Sequence, residues 1–138
     1  MEKVVLNKLE LIERCVKRVG KIHNGNDAVL EDFLYQDAII LNIQRACQQS
    51  IDLAMYITSK KGFGIPKNSK EAFSLLEKNK IITKEISKKM QGMTGFRNIA
   101  IHEYQNLNLD IIKYIIKKGM LDFLEYSKEI LIYLEKIR

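Results

Sequence analysis

Apolar residues recur every three or four positions along almost the whole chain. No period-two alternation bounded by turn residues argues for a strand. Val5, Leu9, Ile12, Val16 and Val19 mark a first helix over about Glu2–Val19, with Gly20 and Gly25 as its stop signals. Asn26 or Asp27 is then the N-cap of a long helix over about Ala28–Ser59, facing Phe33, Ile40, Ile43, Cys47, Ile51 and Ala54 inward. At ~1.5 Å per residue it would run about 48 Å, enough for the spine of a bundle. The stretch "KKGFGIPKNS" reads as a loop because Gly62, Gly64 and Pro66 all resist helix. Ser69 is expected to cap a short helix over Lys70–Lys78, and Thr83 to cap the next, whose inward stripe is Ile86, Met90, Met93, Phe96 and Ala100. After the break "NLNLD", a last helix over about Leu109–Lys136 should face Ile112, Ile116, Leu121, Leu124, Leu131 and Leu134 inward, with Gly119 as a place to bend. About five helices with short links predict an all-α, up-and-down bundle forming one domain over residues 1–138.

Composition narrows the class. Of 138 residues, 46% are apolar and 29% charged, a balance that suits a water-soluble fold and excludes disordered and collagen-like chains. The apolar runs are too short to span a bilayer, and the first residues lack the apolar stretch of a secretion signal, so no membrane role and a cytoplasmic location are expected. Cys15 and Cys47 both fall within apolar helical patterns and read as buried free thiols. No His and Cys pair has metal-ligand spacing, so neither a metal nor any other cofactor is expected. The net charge of +6 favours an anionic partner, nucleic acid first.

The candidate chemistry lies in "GFRNIAIHEYQN", Gly95–Asn106. On a helical wheel that starts at Phe96, Arg97 and Tyr104 share one flank at about 80–100°, whereas Asn98 and His102 share the outer face at about 200–240°. Arg97 and His102 are thus about 140° apart, and one helix alone does not aim both at one substrate atom. Ile101 lies between them, an apolar residue on the side away from the core, as at a subunit contact. His102 can exchange a proton near neutral pH, Arg97 can hold a phosphate in a two-pronged grip, and Asn98 and Tyr104 can donate hydrogen bonds. A cation and an imidazole without a carboxylate cluster suit metal-free RNA cleavage, in which a 2′-OH attacks the neighbouring phosphorus. A plain solvated helix face and a non-catalytic binding face both fit the same spacing.

Asp37, Arg45, Gln48 and Asp52 also interrupt the long helix as polar breaks. Arg45 and Asp52 lie nearly on one face, and Gln48 and Asp52 are one turn apart, so they line either a cleft, a subunit contact or a solvated surface. Lys60, Lys61, Lys67 and Lys70 surround the glycine loop and either track a nucleic-acid backbone or stand in solvent. Tyr126 and Tyr133 read as packing residues.

The segment "RNIAIHEY" has the pattern Arg, four residues, His, any residue, Tyr, and resembles the signature of the HEPN superfamily, in particular HepT-like toxins. The blocks "DFLYQDAIILNIQRACQQSIDLA", "IPKNSKEAFSLLEKNKII" and "KKMQGMTGFRNIAIHEYQNLN" follow that family's order and spacing over about Asp32–Asn108. The resemblance implies an all-α homodimer whose paired motif helices line one cleft, so that two copies of Arg97 and His102 converge there. It implies a metal-independent endoribonuclease acting on mRNA or tRNA, with Arg97 and His102 catalytic and Asn98 supporting. It also implies a partner, an MNT-domain nucleotidyltransferase antitoxin, with Tyr104 as the residue it can modify with AMP. The alternative is a non-catalytic helical module that serves as partner or target of such a nucleotidyltransferase.

Overall fold

The computed structural model describes residues 1–104 and 107–138, and among these it contains helices and turns but no strand. Gln105 and Asn106, the second of which opens the expected break "NLNLD", lie outside the described residues. The elements are α1 (Glu2–His23), a 3-10 turn (Asp27–Glu31), α2 (Phe33–Lys61), α3 (Ser69–Lys78) and α4 (Lys84–His102). A final rod follows: α5 (Leu109–Tyr114), a π turn (Ile115–Gly119) and α6 (Met120–Ile137). The all-α bundle is as expected, with α2 as the spine that packs against α1, α3 and α4, while α6 closes over α1 and α4.

Local chemistry sets most boundaries. α1 passes through Gly20 and stops only where Asn24 turns left-handed at φ 48°, its N–H bonded back to the Gly20 carbonyl. Asn26 accepts from the Ala28 N–H and caps the 3-10 turn, and Asp32 accepts from the Leu34 N–H and caps α2. The expected long helix is therefore broken at residue 32. Phe33, read as part of its core stripe, is 75% exposed, because in the first turn of α2 nothing packs over it. The rest of the stripe, Ile40, Ile43, Cys47, Ile51 and Ala54, is buried as expected. Asn68 rather than Ser69 caps α3. Thr83 caps α4 as expected, and Ile86, Met90, Met93, Phe96 and Ala100 all face the core.

The last helix departs most from its pattern. Ile112 and Leu134 are buried and Ile116 is half-buried, but Leu121 is 60% exposed and Leu124 and Leu131 are each 43% exposed. In their place Met120, Phe123 and Ile130 point inward. Counted from Ile112 in steps of three and four, the inward positions run through Ile115, Gly119, Phe123, Tyr126, Ile130 and Leu134, whereas the expected stripe took a step of five from Ile116 to Leu121. Gly119, at the end of the π turn, has no room for a side chain: an added Cβ would overlap Met93 of α4 and stand 2.9 Å from Ile115 Cγ2. Tyr126 is fully buried, meets Phe73 edge-on at 5.7 Å between ring centres, and donates to the Ser50 carbonyl at 2.9 Å. Cys15 and Cys47 are free and buried as expected, and burial pushes the Cys47 thiol up to about 12.

This register is open to direct test. Phe123→Ala empties a core site and is expected to cost ~3–5 kcal/mol in urea unfolding. Leu121→Ala removes an exposed side chain and should change stability by less than ~0.5 kcal/mol. Equal losses at both positions would refute this inward face.

Candidate functional site

The site begins with the direction taken by Arg97. Its helix α4 is buried along Met93, Phe96 and Ala100, which leaves Arg97 at the edge of the core beside α2. The guanidinium turns inward. Its Nη1 donates to Gln48 Oε1 at 2.8 Å and its Nη2 to Ser69 Oγ at 3.3 Å. The Nε is buried without a partner among the described residues. Gln48 in turn donates through Nε2 to Asp52 Oδ1 at 2.9 Å. A carboxylate only accepts, so Asp52 fixes which end of the Gln48 amide faces which neighbour: nitrogen toward the acid, oxygen toward the arginine. Asp52 therefore bears on Arg97 through Gln48, one turn away on α2.

Ser69 joins this group because Asn68 takes over the capping of α3 and leaves the serine hydroxyl free to accept. Lys67 and Lys70 flank it in the chain and are exposed, so part of the basic glycine-loop cluster adjoins Arg97. Lys60 lies 5.8 Å from the Tyr56 ring centre. Arg45 is exposed on α2, close enough to Cys15 of α1 for its charge to favour the thiolate there, and it is bonded to neither Arg97 nor Asp52.

The outer face of α4 carries the remaining motif residues. Asn98 and His102 are exposed, and Ile101 is 46% exposed. His102 is the last residue of α4, whose final turn closes with the Glu103 N–H on the Ile99 carbonyl at 2.8 Å. Tyr104, 40% exposed, reaches back across to α2 and donates its phenol proton to Asp37. Lost hydration and the Asp37 carboxylate push this phenol up to about 12, so it keeps its proton at neutral pH. The helix is thus fastened to α2 at two levels, Arg97 on Gln48 and Tyr104 on Asp37, with His102 between them and facing out. Arg97 and His102 diverge within one protomer, as the wheel predicts.

Two participants were poorly visible in the sequence. Ser69 reads only as a cap, and Asp37 only as one polar break among several; neither has a local signal for its long-range bond. Around the site stand exposed apolar residues: Phe33 and Leu34 at 75% each, Tyr35 at 46% and Leu41 at 42%, all on the half of α2 that carries Asp37. Among the described residues no three His, Cys, Asp or Glu side chains gather closely enough to hold a metal ion. No described helix is long and apolar enough to cross a membrane.

Known proteins match this arrangement over nearly its whole length. The family described as "Ribonuclease HepT-like" matches residues 7–130. The mRNA nuclease HepT of Shewanella oneidensis is 39% identical over 91% of this chain and 95% of its own length. The tRNA nuclease HepT of Aphanizomenon flos-aquae is 29% identical over 95% of this chain and 90% of its own. Among solved structures, a tri-AMPylated Shewanella oneidensis HEPN toxin in complex with MNT antitoxin superposes with a TM-score of 0.90, at 38% identity over 96% of this chain and 99% of that one. A toxin–antitoxin structure with AMP-PNP also gives a TM-score of 0.90, at 37% identity and 94% coverage of this chain. With its helix order, its Arg97–His102–Tyr104 helix end and these matches in agreement, the chain belongs to the ribonuclease HepT-like family.

Proposed function

We propose that this chain is a metal-independent endoribonuclease toxin that cleaves RNA through Arg97 and His102, works as a homodimer in the cytoplasm, and is silenced by an MNT-domain nucleotidyltransferase. The observation that carries the reading is the state of Arg97. A guanidinium half-withdrawn from water, steered by Gln48 and Ser69, is a preorganised positive charge next to an exposed helix face that presents His102 and Asn98. In cleavage the ribose 2′-oxygen bonds to phosphorus as the bond to the 5′-oxygen breaks. His102 moves the protons, and Arg97 meets the charge that grows on the phosphoryl oxygens. Asn98 supplies a further donor on the same face as His102.

The divergence of Arg97 and His102 calls for a second protomer. Pairing about the exposed Phe33, Leu34, Leu41 and Ile101 would cover a large apolar surface and set two copies of the motif across one groove. The basic loop residues Lys67 and Lys70 would extend that groove along a nucleic-acid backbone. Tyr104 is an exposed phenol on the rim, and AMP placed there adds bulk and a negative charge where the RNA backbone must lie. The related toxin described as tri-AMPylated and bound to MNT antitoxin supports this control.

Three outcomes follow. His102→Ala and Arg97→Ala should each lower RNA cleavage by ~100-fold or more while circular dichroism stays helical, and EDTA should leave the native rate unchanged. Cleavage that persists in His102→Ala would refute the proton-transfer role given to it, and native dimer that cleaves no RNA would make the non-catalytic module the better reading. Light scattering should give about twice the 16.1 kDa of the chain, and Phe33→Glu with Leu34→Glu should lose dimer and activity together. Co-expression with the nucleotidyltransferase should add mass in AMP steps that map to Tyr104 and vanish in Tyr104→Phe.

A further inference from the structure

Past His102 the chain leaves α4, and the next side chain that ties it to another element is Tyr104. Its partner Asp37 lies 67 residues earlier, near the start of α2. Both residues are exposed, and they contribute nothing to the core. A bond of this kind, outside the packing and two residues from the imidazole, acts on the site more than on the fold. At the other level, Arg97 is fixed by Gln48, but that bond lies more than a turn of α4 before His102. Among the described residues the Tyr104–Asp37 bond is the side-chain hydrogen bond to another element nearest that end, which otherwise packs through Ala100 and Leu107.

We propose that Asp37 is a positioning residue for His102: by accepting the Tyr104 phenol proton it pins the end of α4 to α2, and attachment of a nucleotide to that phenol removes the pin. The proposal rests on the roles given above to His102 and Tyr104. In the modification, the phenol oxygen bonds to the α-phosphorus of ATP as the bond to pyrophosphate breaks, and the phenolic proton is released. The O–H donor no longer exists. A phosphodiester with its own negative charge then faces the Asp37 carboxylate, so an attraction becomes a repulsion. Silencing thus has two parts, a blocked groove and a displaced catalytic histidine. The second does not depend on how much of the groove the nucleotide fills.

The test uses unmodified full-length protein and separates kcat from KM on an RNA substrate. Asp37→Ala and Tyr104→Phe both remove the pin without adding bulk, and each should lower kcat by about tenfold or more with KM within about twofold. Asp37→Asn keeps a side-chain oxygen that accepts, and should recover most of that loss. The His102 ring signals in NMR should move in Asp37→Ala and Tyr104→Phe and stay near native in Asp37→Asn. If Asp37→Ala cleaves with native kcat while His102→Ala is inactive, the pin is overturned and the catalytic assignment stands. If Asp37→Asn is as impaired as Asp37→Ala, accepting the phenol proton is not what Asp37 does and the proposal also fails. If His102→Ala itself cleaves at the native rate, the underlying reading falls and the pin with it.

Discussion

The Arg97 guanidinium, drawn half out of water between α2 and the start of α3, is the constraint on which the site depends. A charge in that position costs free energy unless its protons find acceptors. Gln48 and Ser69 supply them, and Asp52 holds Gln48 in the orientation that makes one of them possible. The same demand fixes α4 along α2, since the arginine reaches Gln48 only if the two helices keep their register. The buried stripe from Ile86 to Ala100 sets the depth of α4, and the arginine sets where along the spine its end falls.

The consequence for chemistry is a division of labour along one helix. In the proposed cleavage the inward residue would supply fixed charge and the outward residue a movable proton, while the polypeptide between them is regular helix with little freedom. Preorganisation of this kind places the cost of orienting charge in folding rather than in the reaction. It also explains why the motif has five-residue rather than four-residue spacing between arginine and histidine. Spacing that stacked both on one face would bring the histidine toward the arginine's flank, away from the open side.

What the sequence made legible was whatever depends on local repetition. The stripe Ile86–Met90–Met93–Phe96–Ala100, the Thr83 cap and the glycine loop all came from patterns within one element, and all match the structure. The divergence of Arg97 and His102 was legible too, because it follows from helix geometry alone. Phe33 misled because its position on the α2 stripe carries no information about whether a neighbour extends far enough to cover it. Leu121, Leu124 and Leu131 misled because the expected stripe took a five-residue step after Ile116, whereas steps of three and four from Ile112 lead to Phe123, Tyr126 and Ile130. The bonds from Arg97 to Ser69 and from Tyr104 to Asp37 join residues 28 and 67 positions apart, which no local pattern encodes. The candidate residues came from resemblance, whereas the bonds that join them required the fold.

The π turn at Ile115–Gly119 has a bearing on how this chain can tolerate change in its length. Its wider turn holds about one residue more than an α turn of the same span. Removing one residue there would let the segment close to ordinary helix while Phe123, Tyr126 and Ile130 kept their inward direction, whereas the same removal from a regular stretch of α6 would turn the residues beyond it by about 100°. Changes of length should therefore be borne in the loop around Gly62–Pro66 and at this turn, and be purged from the regular helix on either side of it.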